Sequence, residues 1–206
     1  MPYLSLHGNA FGFDTETGHV QRPQASDNGA KNGSTVAVKE YGDGLLHKTV
    51  LTCTATPITI TDDAGVAQYG GVKVYDFPEG AICILGAVVN GTLLAGVTGT
   101  IIDNWDGDVA IGTVTATTGA TLTSTEANIL PSTAVSAGAS DKIGVVEAFP
   151  VPTALTESGA RWLNGTATAI DAFLNFVIDD DATHTSGTAA FTGTITLFWL
   201  NLGDVG

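Results

Sequence analysis

The stretch from Gly187 to Asp204 constrains the fold of this chain most strongly. Side chains alternate between two faces along a β-strand, so the stretch can be divided by parity. The odd positions form an apolar face: Phe191, Gly193, Ile195, Leu197 and Trp199. The even positions begin as threonines and become apolar at Phe198, Leu200 and Leu202. We predict a core strand that is buried on one face, and whose other face is covered near its end by a loop or another subunit.

Shorter strand-like segments, separated by Gly, Pro, Asp and Thr, occur along most of the chain. They comprise residues 47–60, 72–77, 81–89, 92–95, 106–116, 142–149 and 169–178. We expect residues 169–178 to pair with the last strand, Asn90-Gly91 to form a hairpin turn, and Pro57 to mark an edge position or a bulge. Apart from one helical turn near Ser124, helical patterns are missing. The predicted fold class is therefore all-β, a jelly-roll-like β-sandwich of about eight strands.

The first 44 residues differ from the rest because they show little periodic apolar pattern. They contain isolated aromatic and basic residues, such as Phe11, Phe13, Arg22 and Tyr41. We predict an extended N-terminal arm over residues 1–44 that becomes ordered against another surface, followed by a β-sandwich domain over residues 45–206. The alternative is a loop that lies over its own domain.

The charge of the 206-residue chain limits its partners. Its formal net charge is −14 at pH 7, which argues against nucleic acid or an anionic membrane as a partner. The sequence has neither an apolar run long enough to cross a bilayer nor the pattern of a signal peptide at its start. We expect a protein made and assembled in a cytosol. Cys53 and Cys83 are then buried free thiols, or alternatively a disulfide between neighbouring strands.

The sequence shows few groupings of residues that would support catalysis. Its four histidines are scattered, and it contains none of the common nucleophile or phosphate-loop motifs. We therefore expect no enzymatic activity and no cofactor. Asp103, Asp106 and Asp108 are hard oxygen ligands close enough to bind Ca²⁺, and Asp179–Asp181 is a second candidate. Turns between strands favour the same residue types for backbone reasons.

Three segments resemble those of the capsid decoration, or cement, proteins of tailed bacteriophages. They are Glu126–Thr133, Ala172–Phe176 with the acidic run that follows it, and Gly193–Asp204. The resemblance implies a virion protein, made in the host cytoplasm, that binds the outer surface of an assembled capsid. It also implies that the chain forms a homotrimer and cements neighbouring copies of the major capsid protein.

Apolar side chains on otherwise polar faces are typical of oligomer contacts. The candidates for an oligomer or capsid interface are Phe11, Phe13, Arg22, Tyr41, Phe173, Val177, Phe198 and Leu200. The alternative function is a carbohydrate-binding or receptor-binding jelly-roll module of a phage tail or fibre. Trp105, between Asp103 and Asp106, is the compact candidate for a sugar platform, although a tryptophan there also suits a plug at the end of the sandwich.

Overall fold

A computed structural model describes residues 12–13, 20–21, 29–43, 45–63, 67–98, 107–119, 121–135, 142–148, 162–179 and 185–203. The elements in these ranges are thirteen β-strands and one 3₁₀ turn. The strands are β1 (Gly12–Phe13), β2 (Val20–Gln21), β3 (Ala30–Lys31), β4 (Val36–Asp43), β5 (Leu46–Asp63), β6 (Ala67–Asp76), β7 (Gly80–Thr98), β8 (Gly107–Gly112), β9 (Leu130–Val135), β10 (Lys142–Ala148), β11 (Trp162–Gly165), β12 (Asp171–Asp179) and β13 (Gly187–Asn201). The 3₁₀ turn spans Ser124–Glu126.

Eleven of these strands form one antiparallel sheet. Its main order is β10-β7-β13-β5-β6-β12-β8-β9. The remaining three strands join its edges, since β4 pairs with β5, β3 with β6, and β11 with β7. The sheet is curled: Cα atoms of its terminal strands β9 and β10 lie within 8 Å of each other. This arrangement confirms the all-β prediction and is consistent with a jelly-roll-like β-sandwich.

The last strand, β13, lies at the centre of one half of the sheet, with β5 on one side and β7 on the other. Its odd face is buried as predicted: Phe191, Ile195, Leu197 and Trp199 are inaccessible to solvent. The partner predicted for it was wrong. Residues 171–179 form β12, which pairs with β6 and β8 instead.

β5 passes from one half of the sheet to the other through a bulge. Thr54 and Ala55 together face the single residue Thr192 of β13, and Ala55 has a left-handed φ of 46°. The bulge exchanges the two faces, so that Cys53 before it and Ile58 after it both point into the core. Pro57 follows directly. On one side Pro57 pairs with Ala190 of β13. On the other side of β5, the described pairing with β4 ends at Cys53 and that with β6 begins at Ile60, so Pro57 lies between the two. The expectation of a bulge or edge at Pro57 is confirmed.

The hairpin predicted at Asn90-Gly91 was wrong. Both residues lie inside β7, where Gly91 faces Gly193 of β13. A Cβ atom on Gly91 would lie 2.7 Å from the ring of Phe191. The glycine is therefore required for close packing between two long strands, and not for a turn.

Part of the predicted arm belongs to the sheet. Val36–Asp43 forms β4 and pairs along the first half of β5. Val36 is fully buried in the core, and Ala30–Lys31 pairs with the end of β6. β1 and β2 pair with each other in a sheet of their own.

Candidate interaction surface

The half of the sheet around β13 exposes one broad face. We call this surface the outer face, and it is formed by the side of β4, β5, β13, β7 and β11 that points away from the core. Directly paired residues of an antiparallel sheet share a face. The pairing register therefore arranges the outer face in rows that run across the strands.

One row of the outer face is apolar over four adjacent strands. Leu46 pairs with Leu200, Leu200 with Cys83, and Cys83 with Trp162. Leu46 and Trp162 are 52% and 51% exposed, while Leu200 and Cys83 are half-buried. Large apolar side chains exposed side by side are typical of surfaces that another molecule covers.

The adjacent row combines aromatic and basic residues. Phe198 pairs with Lys48, and Lys48 with Tyr41. The ammonium groups of Lys39 and Lys48 lie 5.2 and 5.5 Å from the ring centroid of Tyr41, in the range of cation–π contacts. Hydrogen bonding to Tyr41 raises the pKa of Lys39. Two of the seven basic residues of this acidic chain therefore lie together on the outer face.

Three of the predicted interface residues lie on the outer face. Tyr41 is 45% exposed, and Phe198 and Leu200 are half-buried. Phe11 and Arg22 lie outside the described residues, and Phe13 is described only as part of the backbone of β1. The sequence analysis missed Leu46 and Trp162. Strict alternation next to the buried residues His47 and Leu163 is the signal that would have placed both on the outer face.

Phe173 and Val177 lie in the other half of the sheet, away from the outer face. Phe173 is half-buried. Val177 is only 3% exposed because it packs in a small cluster with Ala110, Ala116 and Leu122. Its prediction as an interface residue was wrong, since residues 113–119 and 121–128 of the same chain cover that side of β12.

Asn175 holds this covering segment in place. Its side-chain oxygen accepts a hydrogen bond from the N–H of Ala116 at 2.9 Å. Its amide nitrogen donates to the carbonyl oxygens of Val114 and Glu126, both at 2.8 Å. The side chain is fully buried, and its bond to Ala116 is shielded from water. The polar side of this strand therefore carries a buried polar clamp.

A second polar cluster lies inside the sheet around Glu40 of β4. The Glu40 carboxylate accepts hydrogen bonds from the hydroxyl groups of Thr49, at 3.1 Å, and Tyr75. Trp199 Nε1 donates to Thr49 Oγ1 at 2.8 Å, and the backbone N–H of Gly29 donates to the Tyr75 oxygen at 2.9 Å. Burial is the main cause that raises the pKa of Tyr75, followed by its hydrogen bond to Glu40.

His47 completes the Glu40 cluster. Its ring is inaccessible to solvent and stacks on Trp199 with centroids 3.8 Å apart. Its Nδ1 atom lies 3.7 Å from the Glu40 carboxylate. The cluster joins β4, β5, β6 and β13, so its polar groups act as cross-links between strands. Carboxylate, imidazole and phenol groups do occur together in active sites. Here the side chains of Glu40, His47 and Tyr75 contact one another between the strands of the sheet.

Lys73 forms an ion-pair cluster at the surface near β3. Its ammonium lies 2.7 Å from Asp171 and 3.2 Å from Asp76. The hydrogen bond to Asp171 is the first cause that raises the pKa of Lys73. The pKa of Asp76 is raised, chiefly by burial and then by its hydrogen bond to Asp171. The cluster ties the start of β12 to the end of β6.

The proposed metal sites fall largely outside the described residues. Asp103, Asp106 and Trp105 lie there, as do Asp180 and Asp181. Among the described residues, no group of three His, Cys, Asp or Glu side chains could hold a metal ion. Within the same ranges, no helix is long and apolar enough to cross a membrane.

The two cysteines are free. Cys53 points into the core and Cys83 lies on the outer face, with β13 between their strands. The free-thiol reading is therefore confirmed, although Cys83 is only half-buried. Burial raises the pKa of the Cys53 thiol to about 11, which keeps it protonated and unreactive at neutral pH.

Comparison of the chain with protein-family models, with curated proteins and with solved structures found no match.

Proposed function

We propose that this chain is a non-enzymatic structural protein of a tailed-bacteriophage virion. In this role it decorates the outside of the capsid and cements neighbouring copies of the major capsid protein. The observation that carries the proposal is the apolar row of the outer face, where Leu46 and Trp162 remain about half exposed beside Leu200. The other support is the resemblance of the C-terminal third to decoration proteins.

The character of the outer face suits a contact with protein. The centre of a protein–protein interface is poor in charge and enriched in aromatic side chains, and its rim is polar. On the outer face, Trp162 and Leu200 belong to the apolar row, and Phe198 lies beside Leu200 on β13. Lys39 and Lys48 lie toward the β4 edge. The net charge of −14 would keep free subunits soluble before assembly. A sheet with an exposed apolar row on one face needs no active site to act as cement.

Co-sedimentation with capsids tests the proposal. Capsids assembled from the major capsid protein of the phage that encodes this chain are mixed with the full chain and pelleted. We expect the chain to pellet with them and Leu46→Ser to bind more weakly, because it removes an exposed apolar side chain from the outer face. The matched control is Val114→Ser, since Val114 is 41% exposed on the segment that covers β12.

The outcomes separate the alternatives. Equal loss of binding in Leu46→Ser and Val114→Ser would show that the outer face does not form the contact with the capsid. Absence of the full chain from the pellet would overturn the decoration function itself.

A further inference from the structure

The outer face gathers positive charge in a chain that is strongly acidic. Lysine and arginine total 7 residues, against 21 aspartates and glutamates. Lys39 and Lys48 are both exposed on this face, and both ammonium groups lie within cation–π range of the Tyr41 ring. In the rows of the outer face that cross β5 before its bulge, no other described side chain is charged. By register Asp43 also belongs to these rows, and only its backbone is described.

Neither ammonium group has a carboxylate partner within the described part of the chain. The ion pairs found there involve Lys73 and His47 instead. Glu40 follows Lys39 in sequence, but its carboxylate lies inside the sheet, where it accepts a hydrogen bond from Tyr75. Two like charges beside one ring repel each other, and a carboxylate supplied from outside would relieve that repulsion.

The apolar row runs directly beside the two lysines. Leu46 and Lys48 are neighbours on the same face of β5, as are Leu200 and Phe198 on β13. Successive residues on one face of a strand are about 7 Å apart, so a partner surface of about 800 Å² covers both rows. Such a surface removes water from the ammonium groups, which is costly unless a carboxylate replaces that water.

We propose that the capsid surface bound by the outer face is acidic, and that its aspartate or glutamate carboxylates contact Lys39 and Lys48 beside an apolar strip that covers Leu46, Leu200 and Trp162. This inference rests on the proposed function and names the chemistry of its partner. The charge contact orients the chain, because apolar burial has no direction whereas a carboxylate must reach the lysines. The acidic remainder of the chain is repelled by the same capsid surface, so the outer face is the side that approaches it.

Charge reversal on the outer face tests the proposal in the co-sedimentation assay. We expect Lys39→Glu and Lys48→Glu each to raise the dissociation constant for capsids about tenfold at low salt, because each places like charges in contact. This ratio should shrink at about 0.5 M salt, where ions screen exposed charges. Lys48→Arg keeps the charge and should bind as the unchanged chain does.

Lys31→Glu is the matched control for the charge variants. It changes the net charge by the same amount, and Lys31 is exposed on β3, away from the outer face. Its dissociation constant should stay within about twofold of that of the unchanged chain. Unchanged urea midpoints would show that all of these variants fold.

Cross-linking with a water-soluble carbodiimide identifies the partner groups directly. The reagent activates a carboxyl group, a contacting lysine loses its extra protons and attacks the carboxyl carbon, and the reagent leaves as a urea. We expect amides between Lys39 or Lys48 and Asp or Glu side chains of the major capsid protein, detected by mass spectrometry of the pellet. Replacement of that carboxylate by lysine should restore the binding of Lys48→Glu.

Three outcomes would overturn the proposal. Lys39→Glu and Lys48→Glu variants that bind as tightly as Lys31→Glu would reject the acidic partner and leave the decoration function standing. Cross-links that join the two lysines only to other copies of this chain would do the same. Absence of the full chain from the pellet would overturn the decoration function, and this inference with it.

Discussion

At the scale of single residues, two buried polar side chains hold distant segments together. Asn175 fastens residues 113–119 and 121–128 over β12, and Glu40 links β4 to β5 and β6 through the hydroxyl groups of Thr49 and Tyr75. Buried polar groups with complete partners fix one arrangement of a core, and an incomplete set is costly. The Asn175 side chain meets this condition with three bonds, whereas Glu40 Oε2 is buried without a hydrogen bond. Substitution of either side chain should leave its partners unsatisfied.

Asn175→Ala should lower the free energy of unfolding by about 3 kcal/mol. The substitution leaves one backbone N–H and two carbonyl groups without their bonds. Each such group costs roughly 1–3 kcal/mol when it stays dry, and less where water can enter. Urea unfolding followed by fluorescence measures the change. The control is Asn164→Ala, because the Asn164 side chain is exposed and accepts hydrogen bonds from Thr166, two residues along the chain. A similar effect in both variants would contradict the clamp.

The protonation of Tyr75 should make the fold sensitive to alkaline pH. Its pKa is raised above the ordinary value in the folded chain, so the stabilising difference is complete below about pH 10. Above that value the unfolded chain loses the proton first. Stability should then fall by about 1.4 kcal/mol per pH unit for this one group. Lys73 acts in the same direction, because its pKa is also raised.

Urea midpoints measured from pH 8 to pH 11 isolate the contribution of Tyr75. Tyr75→Phe is less stable at pH 8, because the Glu40 carboxylate loses a donor. Above pH 10 the free energy of unfolding of Tyr75→Phe should decline less steeply than that of the unchanged chain. The two slopes should differ by about 1.4 kcal/mol per pH unit, the contribution of one proton. Parallel curves for the two proteins would show that Tyr75 ionises as readily in the folded state as in the unfolded one.

At the scale of elements, the bulge in β5 decides which side chains of this strand face the core before and after it. Ala55 adopts a left-handed conformation with φ of 46° and is exposed. A side chain in this conformation costs about 1 kcal/mol relative to glycine. Ala55→Gly should therefore raise the free energy of unfolding by about 0.5–1 kcal/mol, in spite of the entropy that glycine gains in the unfolded chain. Ala37→Gly is the control.

Ala37 is exposed in β4, and it is not among the described residues whose φ is positive. There, glycine should lower stability by about 0.5–1 kcal/mol, because it only adds freedom to the unfolded chain. Opposite signs in urea unfolding support the reading of the bulge. A loss of stability in both variants would mean that the conformation of Ala55 carries no strain.

Alternation along single strands predicted more of the fold than local turn signals did. The two faces of β13 follow from its sequence, because the period of a strand is two and its core face is continuous. Asn90-Gly91 misled, because the packing of Phe191 on Gly91 arises from strands far apart in sequence. The partner of β12 was misjudged for the same reason: sequence neighbours were assumed to pair, while β13 lies between β5 and β7.

The candidate site was predictable only in part. Phe198 and Leu200 were found because they interrupt the polar face of their own strand. Leu46 and Trp162 become their neighbours only through the register of four strands, which composition and periodicity do not contain. Val177, like Phe198, is an apolar residue on an otherwise polar strand face, but another segment of the chain covers it. Whether an apolar residue on a polar face is exposed is decided by the tertiary fold.

At the scale of the whole molecule, the position of the N-terminal boundary decides what can be removed from the chain. The boundary predicted after residue 44 separates Glu40 and Val36 from the strands they pack against. Glu40 receives hydrogen bonds from β5 and β6, and Val36 is fully buried. Gly29 is the first residue of the described body and donates to Tyr75. Contacts therefore favour a structural unit that begins near Gly29, and capsid-binding tests of the arm should use that boundary.

Two truncations compare these boundaries directly. A chain that begins at Gly29 should keep the free energy of unfolding of the full chain within about 0.5 kcal/mol in urea titrations, because it retains β3, β4 and the Glu40 cluster. A chain that begins at Leu45 should lose at least about 4 kcal/mol or fail to unfold cooperatively. This truncation exposes the edge of β5 and leaves the hydroxyl groups of Thr49 and Tyr75 without their hydrogen-bond acceptor. The fluorescence of Trp199, which is buried and stacked on His47, reports both transitions. Equal stability of the two truncations would show that β4 contributes nothing to the sheet, and would return the boundary to residue 44.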